Sequence, residues 1–422
     1  MTIFIHAGKA GIQLGGELWS LAATMPPDSR DVLFSHSECL APRFVVIDSE
    51  PRAIDVLQRR VRKAGCTIRE EGLICDKAQG GCGNNWSQGF GSSTLLSKSL
   101  DAIRKEVERS QCGSFHMMYS LGGGTGSGFG SLLLQHLRAE YPSFYIICTC
   151  VAAFTCGDMP LQHYNTMLGL QQLEFFADAV TYHMNDDLLE SSTLAMCSRS
   201  RSPREKSCTP GVSRRVSLAQ MSSMLARDLA AHFFPSYRKG IVHSFDYGSL
   251  VTAACPDPSL KFMDLKGEGF EFVRGGEGGT QRLRDWNNLC SATAQASRCK
   301  GVIAVHALAR YCSKCPPDLQ MVQSGLIKGY ACQKHQVTLE GSAEVSEPVG
   351  SLSACVNDAS FADRISSSLW AAQAQLDACA YVHHYKRNGI NEEDIGMAID
   401  CCRGLVARYD SLRTEPLTMK VR

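Results

Sequence analysis

The sequence predicts an α/β fold in which a parallel sheet, covered by helices, forms the first half of the chain. Short apolar runs alternate with helical patterns up to about Glu190, which is typical of a parallel α/β domain. The clearest unit is an apolar run at residues 115–121, a glycine-rich stretch at 122–128 and an apolar helical stripe at 129–137. A strand, a tight loop and a helix in this order place the loop at the N-terminus of a helix.

The glycine-rich stretch, Gly-Gly-Gly-Thr-Gly-Ser-Gly, has five glycines in the seven positions 122–128. Glycine costs about 1 kcal/mol in a helix interior, so the stretch predicts a loop. Its backbone N–H groups, unobstructed by side chains, would face an anion such as a phosphate. No Gly-Lys-Ser/Thr follows, and the spacing differs from G-x-G-x-x-G, so it is neither the Walker loop nor the dinucleotide fingerprint. The flanking strand and helix disfavour a flexible linker.

Composition and periodicity divide the chain into five parts. Residues 199–215 carry clustered arginines, serines and two prolines without an apolar period, which predicts a surface loop. A helical apolar period begins at Leu218. The predicted parts are an α/β domain at 1–190, an inserted basic surface loop at 191–216, a core helix at 217–240, a mixed intermediate domain at 241–358 and C-terminal helices at 359–422.

Length and composition narrow the class of protein. A chain of 422 residues is too long for one simple core, and 44% hydrophobic with 20% charged residues is ordinary for a globular protein. The formal charge of +1 predicts no nucleic-acid partner. No apolar run reaches the roughly 18 residues of a membrane span, and no basic-then-apolar leader opens the chain. We therefore expect neither a membrane-spanning segment nor a secretory leader.

The 20 cysteines are expected to be reduced thiols, since no secretory leader is apparent. Cys312 and Cys315 form a C-x-x-C pair, which is half of a common zinc site. The nearest other cysteines do not form a second such pair, so scattered thiols are favoured over zinc.

Motifs along the chain resemble those of eukaryotic tubulins. Residues 122–128 resemble the tubulin signature loop, and Gly-Cys-Gly-Asn-Asn-Trp at 81–86 resembles a loop that the bacterial cell-division homologue lacks. Further similar segments are the first phosphate loop at 8–15, the strand ending Asp-x-Glu-Pro at 42–51, Tyr164-Asn165, and the paired C-terminal helices at 380–394. The resemblance spans nearly the whole chain. It implies a tubulin-like fold with a parallel-sheet GTP-binding domain, a central core helix, an α+β intermediate domain and a C-terminal helical hairpin.

The resemblance also implies a site for GTP or GDP with Mg²⁺. Asp48 and Glu50 match the acidic pair that holds magnesium through water, although a solvated turn before Pro51 explains the same residues. The residues implied near the phosphates lie in three segments and are Gly8, Lys9, Ala10, Gly83, Asn84, Asn85, Gly122, Gly123, Gly124, Thr125, Gly126 and Ser127.

Lys9 and Gln162 are the first two departures of this implied site from the family. Lys9 stands where tubulins have a glutamine, and its charge would lie beside the phosphates or point to solvent. In the ribose loop, Asp158 matches the family's acidic residue, whereas Gln162 replaces a glutamate. One charge-assisted hydrogen bond to the sugar would therefore become neutral.

The resemblance assigns base recognition to Asn185, whose amide can both accept and donate hydrogen bonds to guanine. A helix cap is the alternative role for this residue. Ser222 replaces a second base-reading asparagine, and Leu218 replaces the aromatic residue that stacks on the base. Losing the stack would remove about 1 kcal/mol of binding. We therefore expect guanine-nucleotide binding weaker than in ordinary tubulins, with an empty site as the alternative.

Hydrolysis is a separate expectation, because in tubulins the water-activating acid comes from the next subunit. The element before Cys255-Pro256 matches the loop that carries it, with Asp246 at the upstream aspartate and Ser249 at the glutamate position. Serine is no general base at neutral pH unaided. Asp246 remains a weak catalytic candidate, and we expect little or no activation of hydrolysis in a neighbour.

The segments at 233–237 and 381–385 are most similar to delta-type and zeta-type tubulins, with epsilon type left open. Residues 413–422 are more basic than acidic, unlike the glutamate-rich tails of α- and β-tubulins. The resemblance implies a structural component of the centriole or basal body, located in the cytoplasmic cytoskeleton at a microtubule organising centre. Its implied partners are other tubulins, through longitudinal contacts, and centriole or basal-body proteins. An active GTPase that co-polymerises with α/β-tubulin and a nucleotide-free scaffold are the alternatives.

Overall fold

The computed structural model describes residues 1–35, 40–76, 80–157, 159–199, 216–238, 241–271, 281–297, 301–312, 316–344 and 349–413. Two sequence predictions therefore concern residues outside these ranges. They are the inserted basic loop, of which residues 200–215 are not described, and the ribose-loop residue Asp158. The predicted start of that loop at residue 191 was wrong, because a helix continues through Arg199. The second cysteine of the C-x-x-C pair, Cys315, also lies outside them.

One ten-stranded sheet runs through the described part of the chain in the order β11-β10-β12-β9-β6-β5-β4-β1-β2-β3. The strands are β1 Thr2–Ala7, β2 Phe44–Asp48, β3 Leu73–Cys75, β4 Ser114–Ser120, β5 Tyr145–Ala152, β6 Ala179–Met184, β7 Ser236–Arg238, β8 Ile241–His243, β9 Phe262–Glu271, β10 Val302–Cys312, β11 Val337–Glu344 and β12 Val349–Asp358. Along the sheet from β3 through β2, β1, β4, β5 and β6 to β9, every neighbouring pair of strands is parallel. Antiparallel pairs join β9, β12 and β10, and β7 pairs with β8 outside the sheet.

Helices connect the strands and cover both faces of the sheet. They are α1 Gly8–Ala22, α2 Pro27–Leu33, α3 Pro51–Lys63, α4 Trp86–Phe90, α5 Ser93–Ser110, α6 Gly130–Glu140, α7 Gln162–Phe176, α8 Asn185–Arg199, α9 Leu218–Phe233, α10 Tyr247–Ala254, α11 Gln281–Ser297, α12 Leu319–Tyr330, α13 Ser360–Asp377, α14 Val382–Lys386 and α15 Glu392–Ser411. A π-helical turn spans Gly124–Phe129, and 3₁₀ turns span Glu70–Gly72 and Lys334–Gln336. The predicted α/β class with a mostly parallel sheet is confirmed.

Both faces of the sheet are buried, as the near-continuous apolar strands require. In β1, Ile3 and Ile5 point to the core beneath α5, α6, α7, α13 and α15, whereas Phe4 points to the core beneath α1, α3 and α9. This alternation is the two-residue period of a strand. A third core packs α11 and α12 against β10 and β12.

The central helix α9 begins where the apolar period predicts, at Leu218. Ser217 caps it, because its hydroxyl accepts from the Gln220 N–H while the Gln220 side chain accepts from the Ser217 N–H, a reciprocal capping box. Met221 and Leu225 are buried against the sheet, but Leu218 is 56% exposed. The predicted stripe is thus buried only after the first helical turn.

The C-terminal helices α13 and α15 pack on the same face of the sheet as α7, through residues such as Ile365 and Ile399. The sheet itself is continuous across the limits predicted at residues 190 and 241, so the division into separate parts stays a prediction. Among the described residues, no helix combines the length and apolarity needed to cross a bilayer.

Candidate nucleotide site

The predicted phosphate and base residues follow the carboxyl ends of parallel strands, where ligands bind in open α/β sheets. Gly8 follows β1, Ser49 follows β2, Leu121 follows β4 and Asn185 follows β6. Two direct contacts join these segments. The hydroxyls of Ser49 and Thr125 share a hydrogen bond of 2.6 Å, and the backbones of Gly8 and Gly126 are in close contact. The structure therefore brings the predicted phosphate segments together.

The glycine-rich stretch is not wholly a loop, and this corrects the prediction. Gly123 is extended, and from Gly124 the chain forms a π-helical turn that leads into α6. The glycines are needed because neighbouring backbone occupies the space of a side chain. A Cβ on Gly124 would lie 2.7 Å from the Asn85 nitrogen, and one on Gly128 would lie 2.0 Å from the Trp86 carbonyl oxygen. At Gly123 a Cβ would meet nothing within 4 Å, so this glycine borders open space.

The first predicted phosphate loop, residues 8–15, is likewise helical, since α1 begins directly at Gly8. Gly8 has a positive φ of 69°, and a Cβ there would lie 2.7 Å from the Gly126 nitrogen. Gly11 lies inside the helix, where a Cβ would come within 2.1 Å of the Met118 carbonyl oxygen. Lys9 is exposed in the first turn, and Ala10 is half-buried beside it.

The loop before α4 turns through two left-handed residues, Gly83 at φ 51° and Asn84 at φ 54°. The Asn85 side chain caps α4, because its carbonyl oxygen accepts from the Ser87 N–H at 3.0 Å and its amide donates to the His384 carbonyl at 2.9 Å. The Asn85 N–H donates to the Cys82 carbonyl. Asn85 is thus bonded to the protein through backbone and side chain. Asn84 is exposed, and its amide makes a long contact of 3.9 Å to the Met159 sulfur.

Asn165, the second residue of the Tyr164-Asn165 motif, is a buried junction between these loops. Its amide nitrogen donates to the carbonyls of Asn84 at 2.8 Å and Gly122 at 2.9 Å. Its amide oxygen accepts from the Trp86 N–H at 2.9 Å and the Tyr385 hydroxyl at 2.6 Å. The sequence signal was a polar residue within the apolar pattern of α7.

The acidic pair has one buried and one exposed member. Asp48, 4% exposed at the end of β2, accepts long hydrogen bonds of 3.5 Å from the Ser49 hydroxyl and 3.4 Å from the Glu50 N–H. Burial raises the pKa of Asp48 to about 6. Glu50 is exposed, and its carboxylate lies beside Gly81.

This donor set fits magnesium. Mg²⁺ in nucleotide sites keeps several waters and takes one or two carboxylates together with substrate phosphates. Within the described ranges, no group of three or more histidine, cysteine or acidic residues could enclose a metal by itself. A buried carboxylate with little hydrogen bonding is also poorly compensated without a cation. Asp48 and Glu50 therefore suit an ion that a bound nucleotide helps to hold.

The segment after β5, which carries the predicted ribose contacts, is tied to its own surroundings. Gln162 is 3% exposed, and its amide donates to the Phe154 carbonyl at 3.0 Å. The Thr155 N–H and hydroxyl donate to the Asp186 carboxylate at 2.8 and 3.0 Å. Gln162 thus links the start of α7 to the segment after β5 and stabilises that segment. Asp186 was missed by sequence reasoning, although acidic residues in the first turn of a helix are a known signal.

The two predicted base contacts lie on neighbouring helices. Asn185 is the first residue of α8 and Ser222 is in the second turn of α9, and both are half-buried. The helices touch farther along, where the Ser192 hydroxyl donates to the Met224 sulfur at 3.6 Å. Leu218, at the position of the family's stacking aromatic, is exposed. The structure therefore places the two polar residues on adjacent helices, and their role in base recognition stays a prediction.

Asp246 is separated from all of these residues. It lines a cavity with Thr2, Ser114 and Tyr145, which lie at the amino ends of β1, β4 and β5, so it lies at the opposite edge of the sheet. Its carboxylate caps α10 by accepting from the N–H groups of Gly248 at 2.9 Å and Ser249 at 3.2 Å. The catalytic candidate is therefore engaged as a helix cap.

Residues 1–193 match the family described as Tubulin/FtsZ family, GTPase domain. This part of the chain therefore matches the GTPase domain of the Tubulin/FtsZ family, and the predicted resemblance is confirmed.

Individual relatives give the finer comparison. The chain is similar to a tubulin beta-2 chain of Geotrichum candidum, with 35% identity over 185 residues, which is 42% of this chain and 40% of the relative. It is 27% identical to a tubulin delta chain of Macaca fascicularis over 292 residues, 63% of this chain and 60% of the relative. A nucleomorph tubulin beta chain of Guillardia theta is 30% identical over 210 residues, 44% of this chain and 46% of the relative. The matches thus span about half the length of these relatives.

Proposed function

We propose that this protein binds a guanine nucleotide, GTP or GDP with Mg²⁺, at the carboxyl edge of its parallel sheet. The observation that carries the proposal is the convergence of three segments, at Gly8, at Asn84 and at residues 122–127, within a domain of the Tubulin/FtsZ GTPase family. Such a convergence of backbone turns is what a polyphosphate requires, because it needs many donors that side chains do not obstruct.

The phosphates would meet donors from each segment. The open Gly123 and the turn that begins at Gly124 lead into α6, so the favourable end of a helix dipole faces the anion. Exposed Asn84 supplies a side-chain amide, and exposed Lys9 supplies a cation in the first turn of α1. Asp48 and Glu50 would hold Mg²⁺, which neutralises phosphate charge when bound.

Base and sugar recognition would be weaker than the phosphate contacts. Asn185 and Ser222 would supply polar atoms for the base. The resemblance assigns Asp158 and Gln162 to the ribose side, where the buried Gln162 would act through the shape of the loop. No aromatic stack is available from the exposed Leu218. We expect guanine to be preferred over adenine through Asn185, with modest overall affinity.

Turnover by this chain is proposed to be low. The position that would act on a neighbour's nucleotide holds Ser249, and the nearby carboxylate of Asp246 is engaged as the cap of α10. Serine has no carboxylate to orient a water, and one oxygen of the Asp246 carboxylate is already held by two helix N–H groups. A long-lived nucleotide suits a structural role.

The structural role we propose is that of a cytoskeletal protein of the centriole or basal body. Similarity to a tubulin delta chain over 292 residues supports this assignment, as do the delta-like and zeta-like segments. Its partners would be other tubulins, contacted end to end, together with centriole or basal-body proteins at a microtubule organising centre.

The decisive experiment is to denature freshly purified protein and identify the released nucleotide by mass spectrometry. We expect GTP or GDP at close to one per chain, and tighter binding of GTP than ATP when the emptied protein is titrated. Protein that releases no nucleotide and binds neither would show a scaffold instead. Rapid GTP turnover with added α/β-tubulin would show a working GTPase.

A further inference from the structure

The buried Asn165 amide uses all of its hydrogen-bonding capacity. A primary amide has two N–H donors and two acceptor positions, and here the loop carbonyls of Asn84 and Gly122 take both donors. The acceptor positions are filled by the Trp86 N–H and the Tyr385 hydroxyl. Because a backbone N–H can only donate, the reversed amide would set two donors face to face. The orientation of Asn165 is therefore determined by its partners.

This amide also determines which way the glycine-rich stretch faces. In a planar trans peptide, the carbonyl and the following N–H point in opposite directions. Asn165 holds the Gly122 carbonyl inward, so the N–H of Gly123 points away from the core. Gly123 is the position that borders open space, where a phosphate would lie. The Ser127 hydroxyl reinforces the arrangement by donating to the backbone carbonyl of Asn165 at 3.0 Å.

The fourth partner, Tyr385, comes from the C-terminal helices, 220 residues farther along the chain. It is fully buried in α14 and also contacts the Leu161 carbonyl at 3.2 Å. His384 in α14 and Asn388 just after this helix make two further bonds to the start of α4. The Asn85 amide donates to the His384 carbonyl at 2.9 Å, and the Asn388 amide donates to the Ser87 hydroxyl at 3.0 Å.

We propose that Asn165 and Tyr385 are positioning residues for the nucleotide, and that they couple nucleotide occupancy to the order of residues 380–388 in the C-terminal part. The proposal rests on nucleotide binding at the site described above. If Tyr385 helps to preorganise the phosphate segments, its hydroxyl strengthens nucleotide binding. By linkage, bound nucleotide then stabilises the α14 contacts by the same factor.

Tyr385→Phe removes only the hydroxyl and leaves the ring packing in place. One neutral hydrogen bond contributes a roughly 3- to 10-fold effect on an equilibrium, so we expect the Kd for GTP to rise about 3- to 10-fold. Hydrogen exchange should show that GTP protects the amides of residues 380–388 in the unmutated protein. This protection should be weaker in the variant.

Tyr409→Phe is the matched control. Tyr409 is also a fully buried tyrosine of the C-terminal helices, but its hydroxyl accepts from the Phe262 N–H at 2.9 Å, away from the nucleotide segments. We expect this variant to lose comparable stability and to keep the Kd of the unmutated protein. Asn388→Ala is a second probe at an exposed residue, where the fold tolerates change. It should weaken the GTP-dependent protection of residues 380–388.

The outcomes separate this proposal from the one it rests on. Unmutated protein that binds no guanine nucleotide would overturn the proposed function and this inference together. If the unmutated protein binds GTP, an unchanged Kd in Tyr385→Phe, or an equal loss in Tyr409→Phe, overturns the positioning role alone. Absence of GTP-dependent protection at residues 380–388 overturns the coupling. Should Tyr385→Phe fail to fold, unaltered protection in Asn388→Ala also overturns the coupling.

Discussion

At the scale of single residues, the glycines of the site matter because other backbone segments fill the space of their missing side chains. Gly124 packs on the Asn85 nitrogen and the Cys82 carbonyl, and a Cβ would come within 2.7 and 2.8 Å of them. The first effect of a side chain here is therefore on the loop before α4, which carries Asn84. The ligand-facing surface would change because its supporting loop moves.

Gly124→Val should accordingly destabilise the fold by about 1–3 kcal/mol, as overpacking does, and abolish nucleotide retention. Gly113→Val is the control, because a Cβ on Gly113 meets nothing within 4 Å and Gly113 precedes β4 at the other edge of the sheet. Released nucleotide, measured after purification of both variants, checks the expectation. Full nucleotide content in Gly124→Val would refute the placement of the phosphates.

A second residue-scale prediction concerns pH. Burial raises the pKa of Asp48 to about 6, above the value of about 3.9 in an unfolded chain. Between these values the native state binds more protons, so the group's contribution to stability is present at low pH and is lost as the pH rises towards 6. Asp48→Asn removes the buried charge. The free energy of unfolding of nucleotide-free protein should rise by on the order of 1–2 kcal/mol at pH 7 and change little near pH 4.

Thermal unfolding at several pH values, with and without Mg²⁺ and GTP, measures this effect. With Mg²⁺ and GTP present, Asp48→Asn should lose the advantage, since the carboxylate then has a cation to pair with. Glu50→Gln changes an exposed residue and should alter stability of the nucleotide-free protein by less than about 0.5 kcal/mol. A stability difference for Asp48→Asn that is the same at pH 4 and pH 7 would contradict the burial argument.

At the scale of elements, α10 and α12 use the same device, an aspartate whose carboxylate accepts from the second and third N–H groups of the helix. Asp246 does so for α10 and Asp318 for α12, where the acceptor distances are 2.9 and 3.4 Å. The catalytic candidate at position 246 is thus indistinguishable in its contacts from an ordinary cap. The carboxylate of an aspartate at the N-cap accepts hydrogen bonds from the first-turn N–H groups whether or not it has a catalytic role.

Asp246→Ala should therefore cost about 0.5–2 kcal/mol of stability, as loss of a cap does, and Asp318→Ala should cost a similar amount. Urea unfolding of the two variants compares them directly. GTP turnover in any reconstituted assembly should be equal in both. A turnover loss confined to Asp246→Ala would show that this carboxylate acts on the neighbour's nucleotide after all.

At the scale of the whole molecule, the sheet places the two halves of the proposed chemistry on opposite edges. The phosphate segments lie at the carboxyl ends of the strands, and the loop at 246–249 lies beside the amino ends of β1, β4 and β5. A single chain cannot bring these edges together. Any contribution of Ser249 or Asp246 to hydrolysis therefore requires a second subunit stacked end to end.

Ser249→Glu would restore a carboxylate at that contact, and we expect GTP turnover in an assembled state to rise, by up to roughly 100-fold as general-base catalysis allows. Ser249→Gln, nearly the same size without the acid, should leave the rate low. Dilution to monomers should remove the gain, because the acid acts across the contact. Equal rates for the two variants would contradict this placement of the loop.

Sequence alone determined the features that neighbouring residues encode. The strand, glycine turn and helix around residue 124, the start of α9 at Leu218 and the acidic pair after β2 could all be predicted, since each depends on spacing within a few residues. The family followed from the same local strings. The helical form of residues 124–129 could not, because its glycines pack on backbone from two distant segments, residues 7–8 and 82–89.

Tertiary structure alone decided which polar groups are engaged by the fold. Asn85 is bonded to His384, and Asn165 is bonded to Tyr385, across 299 and 220 residues of chain. Asp246 lies at the sheet edge opposite Gly8. Such pairings leave no periodic pattern in the sequence. Whether a hydrogen bond forms depends on the donor–acceptor distance, to within a few tenths of an ångström, and on its angle. The chain therefore encodes the site's residues locally, while their roles as ligand contact, loop support or helix cap arise from packing.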